Sequence, residues 1–318
     1  MAGIRNCWSH SRTAAALIWA LSLLLFYTFL QLALRNSSPN MDPISLPSDI
    51  PISNTERRAR LYDKMERDLD DRGAAFLKQG ETSQSLSISE LFILQDGSVR
   101  PVLKAANPPV RANVLYMGTA YSEPISKAVR EIFQPFFENA IWFQNSSLYH
   151  FSMFHASHHI TPVPASDDEI EDEAIAIRAV AESACPLKIV LDRVVLTSTG
   201  VLLGCWQVAS GTDPISIRAK LRAALPRAPE KQLYDAAILH TSLARLLGQP
   251  KSSSTDLHQT SDQLQFFHQL VDRLNNKIHG FKASVTELWY VEEYDVLALA
   301  LDGRMKVRRF HLGCKDRS

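Results

Sequence analysis

The chain has 318 residues, 46% of them hydrophobic, enough for one or two domains with a real core. Its 34 Lys and Arg balance 34 Asp and Glu, which excludes the global basic field of a nucleic-acid wrapper. Any contact with RNA or a nucleotide must therefore be local.

Residues 1–13 read as a short N-terminal tail. Residues 14–34 (AAALIWALSLLLFYTFLQLAL) carry no charge, and Gln31 is the one strongly polar side chain among them. A membrane-crossing helix needs about 20 apolar residues, against roughly 7–15 for the apolar part of a signal peptide. A single-pass signal anchor is expected, flanked by Arg5 and Arg12 before it and Arg35 after it. The charge bias puts the N-terminus in the cytoplasm and the bulk of the chain across an endomembrane.

Residues 35–110 are expected to form a spacer. Ser37 to Ser53 is rich in Ser, Pro and Asp. Ser53 or Asn54 then caps a charged helix to about Gln79, with Leu61, Met65 and Leu69 on one stripe, read as a solvated stalk. Asp96-Gly97, between the apolar runs of 91–103, marks a hairpin.

The main domain is expected over 111–318. Strand 112–117 and helix 125–137 precede a strand over 141–154, then a Pro- and His-rich loop from His155 to Ser166. An acidic helix capped by Asp167 or Asp168 follows, stopped by Pro186. Runs 187–196 and 201–208 alternate around Thr197-Ser198-Thr199-Gly200, a hairpin with Gly in its turn. A helix begins at Asp213-Pro214, a strand covers 236–243, a polar loop runs from Gly248 to Thr260, and a helix covers 261–278. Strands over 284–292 and 295–310 close the chain, the latter broken at Asp302-Gly303. Hairpins mixed with helices predict an α+β fold of two antiparallel sheets flanked by helices around a central cleft. No Gly-rich phosphate loop follows a strand, which argues against parallel βαβ units.

The chemistry gathers in two stretches, Tyr149-His150-Phe151-Ser152-Met153 and Leu239-His240-Thr241-Ser242-Leu243. Strand side chains alternate faces, so His150 shares a face with Ser152, and His240 with Ser242. The opposite faces are apolar enough to pack on a core. Two imidazoles facing one another suit acid–base chemistry on a phosphodiester: one takes a proton from the attacking oxygen, the other gives one to the leaving oxygen. The hydroxyls can hold the phosphate oxygens meanwhile.

These two motifs, with a helix and a hairpin between them, resemble the 2H phosphoesterase superfamily over roughly residues 110–318. Its members include 2′,3′-cyclic phosphodiesterases, RNA ligases and 3′-end trimming exonucleases. Ser in both motifs is similar to the branch that trims small nuclear RNA, although that branch works in the nucleus and lacks an anchor. The resemblance implies a two-lobed fold and a metal-independent, cofactor-free enzyme. His150, His240, Ser152 and Ser242 would be its catalytic residues, acting on RNA ends or cyclic nucleotides and not on DNA. A catalytically inactive nucleotide- or protein-binding module of the same fold is the competing expectation. A secretory-pathway glycosyltransferase would also explain the anchor and spacer, but it needs an Asp-x-Asp metal motif, read here as absent.

Tyr149, beside the first motif, and Arg245, three residues beyond Ser242, are candidate contacts for a base and a phosphate. An exposed strand-end arginine is the plain alternative for Arg245. Tyr290 is a further stacking candidate, whereas Trp206 and Trp289 are expected in the core. His155, His158 and His159, followed by Asp167, Asp168 and Glu169, match no metal-ligand spacing and read as a solvated polar loop rather than a metal site. His279 and His311 receive no role. Beyond Cys7, the cysteines (Cys185, Cys205, Cys314) allow one disulfide with one free thiol, or three free thiols. Asn36 and Asn145 begin glycosylation sequons.

Overall fold

The alternating apolar runs fold as two antiparallel sheets. The first contains β3 (Ala105–Tyr116), β5 (His150–Ser157), β10 (Glu287–Asp295) and β11 (Met305–His311), in the order β11-β10-β3-β5. The second contains β4 (Ile141–Phe143), β6 (Leu187–Leu196), β7 (Val201–Ser210), β8 (His240–Leu246) and β9 (Lys282–Val285), in the order β4-β8-β7-β6-β9. β1 (Phe92–Gln95) and β2 (Ser98–Pro101) form a separate hairpin around the expected turn. This computed structural model describes residues 52–78, 86–95, 98–137, 139–251 and 260–314. The expected anchor at 14–34, the spacer up to Pro51 and the Asp96-Gly97 turn lie outside them. Among the described residues no helix is long and apolar enough to cross a membrane.

Helices cover both sheets, as expected for an α+β fold. α1 (Asn54–Arg72) begins at Ser53, whose Oγ accepts the Glu56 N–H at 3.2 Å. α2 (Ile88–Leu91) is one turn; α3 (Thr119–Phe137) packs on α6 (Thr260–Ile278) over the second sheet. α4 (Asp167–Glu182) covers β10 and β11, and α5 (Pro214–Ala224) packs on α4 and β5. α4 is capped by Ser166 in a capping box with Glu169, not by Asp167 or Asp168. Ser can both accept from the third residue of the helix and leave its own N–H to Glu169, which closes two open groups at once. Arg111 on β3 anchors α4 through a bidentate pair with Glu173 at 2.8 and 3.1 Å.

The single strand expected over 141–154 is two, β4 and β5, which lie in different sheets because a turn at Ser146–Leu148 separates them. Three more expectations need correction. α1 is no stalk: residues 52–318 form one compact unit, and the helix packs on β6 and β7. Its fully buried residues are Arg58, Tyr62 and Leu69, and Leu61 and Met65 of the expected stripe are partly buried against the Tyr62 cluster. Arg58 is paired bidentately to Asp213 at 2.8 and 3.3 Å, and the Tyr62 hydroxyl accepts the Leu239 N–H at 3.2 Å. A buried arginine and tyrosine are invisible to an apolar-stripe reading. Second, His155 to Ser157 belong to β5, not to a loop. Third, Asp68-Leu69-Asp70 is an Asp-x-Asp triplet after all. It lies in α1, where residues two apart point to different faces, and its carboxylates go to separate partners, the Ser198 N–H and His268. Cys185 and Cys314 form a disulfide, and Cys205 is a buried free thiol.

The turn between β6 and β7 needs its glycine. Gly200 has φ +82°, and a Cβ there would meet the Leu246 carbonyl at 2.4 Å.

Arg218 on α5 joins the two motif segments. It is 7% exposed and donates from Nε to the Met153 carbonyl at 2.9 Å, from Nη2 to Ser152 at 2.8 Å and from Nη1 to Ala236 at 2.7 Å. Arg218→Met would take its donors from three carbonyls, Met153 in a buried bond and Ser152 and Ala236 in part-buried ones. With roughly 1–3 kcal/mol for the buried group and about 0.5–1.5 kcal/mol for each of the other two, it should cost about 3 kcal/mol. For a unit of this size the Tm should fall by on the order of 6–12 °C in a circular-dichroism melt. A fall under about 2 °C would show that the guanidinium does not hold these segments.

Candidate active site

β5 is the edge strand of its sheet and meets β8 of the other. A cleft of about 500 Å³ opens there, lined by His150, Ser152, His240, Ser242 and Arg245 together. The four motif residues are thus on one cleft, each Ser on the wall of its own His, as the period-two spacing requires. Phe151, Met153 and Leu243 turn into the core on the other faces. Further wall is supplied by Val110, Ala112 and Val114 of β3, by Met65, Asp68 and Arg72 of α1, and by the Thr197–Thr199 turn.

Both motif strands then break their alternation at the same place. On β5, Val114 pairs with Ser152 and Asn113 with Phe154, so Met153 is an extra residue. On β8, Leu203 pairs with Ser242 and Leu202 with Ala244, so Leu243 is extra. A bulge re-aims the side chains that follow it. The third cleft residue is therefore five positions after the His in each strand: His155 on β5 and Arg245 on β8, both lining the cavity. The carbonyls of the two extra residues are satisfied: Arg218 takes that of Met153, and the Gln144 N–H donates to that of Leu243 at 3.1 Å.

The imidazoles differ in their fixings. His150 Nδ1 lies 2.8 Å from the Leu148 carbonyl, so that nitrogen carries the proton and Nε2 is left for the cleft. The Nδ1 of His240 is buried without a partner, and its ring meets Tyr234 edge-on at 4.9 Å. Burial holds the His150 pKa below the ordinary imidazole value, while the Leu148 carbonyl works the other way. Burial, with help from Arg218 and His150, takes His240 down to about 3. His155 is also held at about 3, by burial and by His158 and His159 beside it. Arg245, the last residue but one of β8, is half-buried rather than exposed; its Nη1 is buried and unpartnered, and burial lowers it to about 10.

Other expected residues fall elsewhere. Tyr149 is 1% exposed and absent from the cleft wall, so the base contact expected of it is corrected: it is packing, because the residue before His150 faces the core. Trp206 packs edge-on against Phe151, and Tyr290 donates to Glu173 at 2.6 Å. Trp289 is buried and stacked on Tyr116. His158 accepts the Thr161 N–H at Nδ1, and its Nε2 lies 3.2 Å from the Lys231 carbonyl, which occupies both nitrogens. Among the described residues no group of three or more His, Cys, Asp or Glu is placed to hold a metal ion. Sequence reasoning missed Glu293, a cleft residue that accepts the Leu299 N–H at 2.8 Å and is raised to about 7 by burial. A carboxylate on a strand gives no signal of its burial.

Comparison with known proteins adds fold neighbours. No protein-family description matches the chain, and no curated protein matches it. Among solved structures it is similar to TT0787 of Thermus thermophilus, at 12% identity and a TM-score of 0.44, covering 65% of this chain and 99% of that one. It is also similar to Escherichia coli LigT complexed with ATP, at 14% identity and a TM-score of 0.39, covering 64% and 99%. A conserved protein of unknown function from Agrobacterium tumefaciens matches at 11% identity and a TM-score of 0.44, covering 62% and 84%. Likeness this loose carries no function, so the chemistry of the cleft has to be argued from its own residues.

The depressed imidazoles make stability depend on pH. Between about pH 6.5, where an unfolded His titrates, and about 3, the unfolded chain binds protons that folded His155 and His240 refuse. Stability is therefore full above about 6.5 and falls as pH drops through that window. Denaturant melts at about pH 7, 5.5 and 4.5 should show His240→Gln flattening this slope. An identical slope in that variant would mean His240 titrates normally.

Proposed function

We propose that this protein is a 2H-type phosphodiesterase acting on RNA ends or 2′,3′-cyclic nucleotides without a metal. The observation that carries the reading is the cleft itself: the imidazole and hydroxyl of both His-x-Ser motifs and a guanidinium with an unpartnered nitrogen line one cavity sized for a small ligand. Arg245 takes phosphate oxygens by a charge-assisted bond, and Ser152 and Ser242 add neutral donors. Among the described residues no carboxylate–imidazole cage is available to a metal, and the backbone holds both nitrogens of His158.

The unequal imidazoles assign the roles. A proton shared by the pair rests on His150, where the Leu148 carbonyl stabilises the imidazolium through Nδ1–H. His240, whose Nδ1 has no such acceptor and which burial takes down to about 3, begins neutral. His240 therefore takes the proton of the attacking water as its oxygen bonds to phosphorus, and His150 gives its proton to the departing ribose oxygen as that P–O bond breaks. Negative charge on the bound phosphate favours the imidazolium and offsets part of the burial cost.

Turnover of 2′,3′-cyclic nucleotides tests this. His150→Ala and His240→Ala should each lose on the order of 10²–10⁴ in kcat, and the double variant little more. A p-nitrophenyl diester, whose leaving group needs no acid, should rescue His150→Ala and not His240→Ala. Rescue of His240→Ala alone would reverse the roles; rates unchanged in both single variants would refute the catalytic reading in favour of a binding module. The kcat/KM profile should peak below the ordinary imidazole pKa of about 6.5, because both groups are lowered in the empty cleft. The kcat profile should lie at higher pH, where bound phosphate supports the imidazolium. Activity should survive EDTA; loss restored by zinc would overturn the metal-free mechanism.

The same reading places the domain beyond a membrane from its N-terminus. The apolar run 14–34 supports an anchor, and the Cys185–Cys314 disulfide suits an oxidising compartment. In sealed microsomes, residues 52–318 should resist added protease until detergent is present; digestion without detergent would put them on the cytoplasmic side.

A further inference from the structure

The matching bulges give the two halves of the cleft the same plan and different endings. In each half a His, a Ser two residues on and a third side chain five residues on face the cavity. In the β8 half the third is a cation with an unpartnered nitrogen. In the β5 half it is His155, and everything about its setting keeps it in place and uncharged. Its backbone is clamped from both sides by Gln232, whose Oε1 accepts the His155 N–H at 2.7 Å and whose Nε2 donates to its carbonyl at 3.1 Å. Its ring stands perpendicular to His158, 6.0 Å away, and is 8% exposed at the residue level. The cross-strand neighbour is Ala112, too small to fill the space in front of the ring. Val110 continues that wall, and Leu233 lies on the cavity as well.

A neutral imidazole in an apolar wall offers one donor and one acceptor and no charge. A second phosphate there would be buried against a ring that carries no charge, and burying an anion without a partner is costly. An uncharged group with hydroxyls or ring nitrogens fits: it matches the polarity of His155, and its apolar faces lie on Val110, Ala112 and Leu233. The cleft thus carries two unlike third residues, the cation of Arg245 on the β8 wall and the neutral imidazole of His155 on the β5 wall, each beyond its own His-x-Ser pair.

We propose that His155 is a specificity-determining residue that receives the nucleoside portion of the substrate, while Arg245 holds the phosphate, so the two bulges set the direction in which the nucleotide lies. This rests on the phosphodiesterase reading and deepens it. The substrate class is a nucleotide whose single phosphate sits beside Arg245 and whose sugar or base hydrogen-bonds His155. A bare phosphate or a diester of simple alcohols lacks the second half.

Titration calorimetry with inorganic phosphate and with a nucleoside 2′-monophosphate tests the assignment without requiring turnover. The wild-type chain should prefer the nucleotide. In His155→Leu the nucleotide-over-phosphate preference should fall about fivefold to tenfold, the loss of one buried hydrogen bond. His155→Gln, which keeps a donor and an acceptor, should recover part of it. Arg245→Met should instead weaken both ligands together. With cyclic nucleotides as substrates, the His155→Leu effect should appear in KM more than in kcat. Phosphate binding by His155→Leu reports that the variant is folded. An unaltered preference in both His155 variants, with phosphate still bound, would overturn this inference and leave the phosphodiesterase reading standing. Failure of the wild-type protein to bind either ligand would overturn both.

Discussion

Most of the cleft depends on one buried cation. Arg218, on α5, is bonded to three main-chain carbonyls rather than to a carboxylate. Two of those carbonyls, Ser152 and Met153, lie at the bulge of β5; the third, Ala236, lies four residues before His240. A guanidinium presents its donors in a rigid plane, so it fixes the three carbonyls relative to one another and not merely to itself. Through them it fixes where the first motif stands against the approach to the second. The alternative, a side-chain ion pair, would have neutralised the charge. Carbonyl dipoles satisfy the donors and leave the positive field in place, and that field reaches His240 and His155.

Bulges do for the cleft what no regular strand can. Strict alternation from His150 would bring Phe154 to the cavity, and from His240 it would bring Ala244; both are buried on the other side. One extra residue in each strand swaps these apolar groups for His155 and Arg245. The two halves are similar in plan although nothing in their residues beyond His-x-Ser repeats. The symmetry lies in register, which sequence identity does not display.

Register also separates what the sequence displays from what it hides. The strands carrying His150 and His240 are legible because alternation over three residues needs only a local rule, and the α+β class follows from hairpins interleaved with helices. The role of His155 is not, because a bulge changes the face of everything after it and has no reliable residue signature here: Met153 and Leu243 are ordinary strand residues. Tyr149 is a false lead because adjacency in sequence is not adjacency in space, and the residue before His150 must face the core. α1 reads as a solvated stalk because Arg58 and Tyr62 look like surface residues until Asp213 and the Leu239 backbone are brought to them by the fold. Long-range partners are the part of a structure that periodicity cannot supply.

The electrostatics of the empty cleft follow from the same arrangement. The chain as a whole is neutral, with 34 basic and 34 acidic residues, so no long-range field gathers anions. At the cleft the balance is different: on its lining Arg245 has an unpartnered nitrogen and burial raises Glu293 to about 7, and the Arg218 charge bears on His240 from outside that lining. A further positive charge is therefore disfavoured: burial lowers both imidazoles, and the Arg218 charge lowers His240 further. On the proposed phosphodiesterase reading, an entering phosphate would reverse that sign. It would pair with Arg245 and make a protonated imidazole favourable at the position where Leu148 already holds Nδ1–H. The proton that the leaving group needs would then be recruited by the substrate's own charge, and a neutral ligand of the same shape would find the cleft with its acid unprotonated.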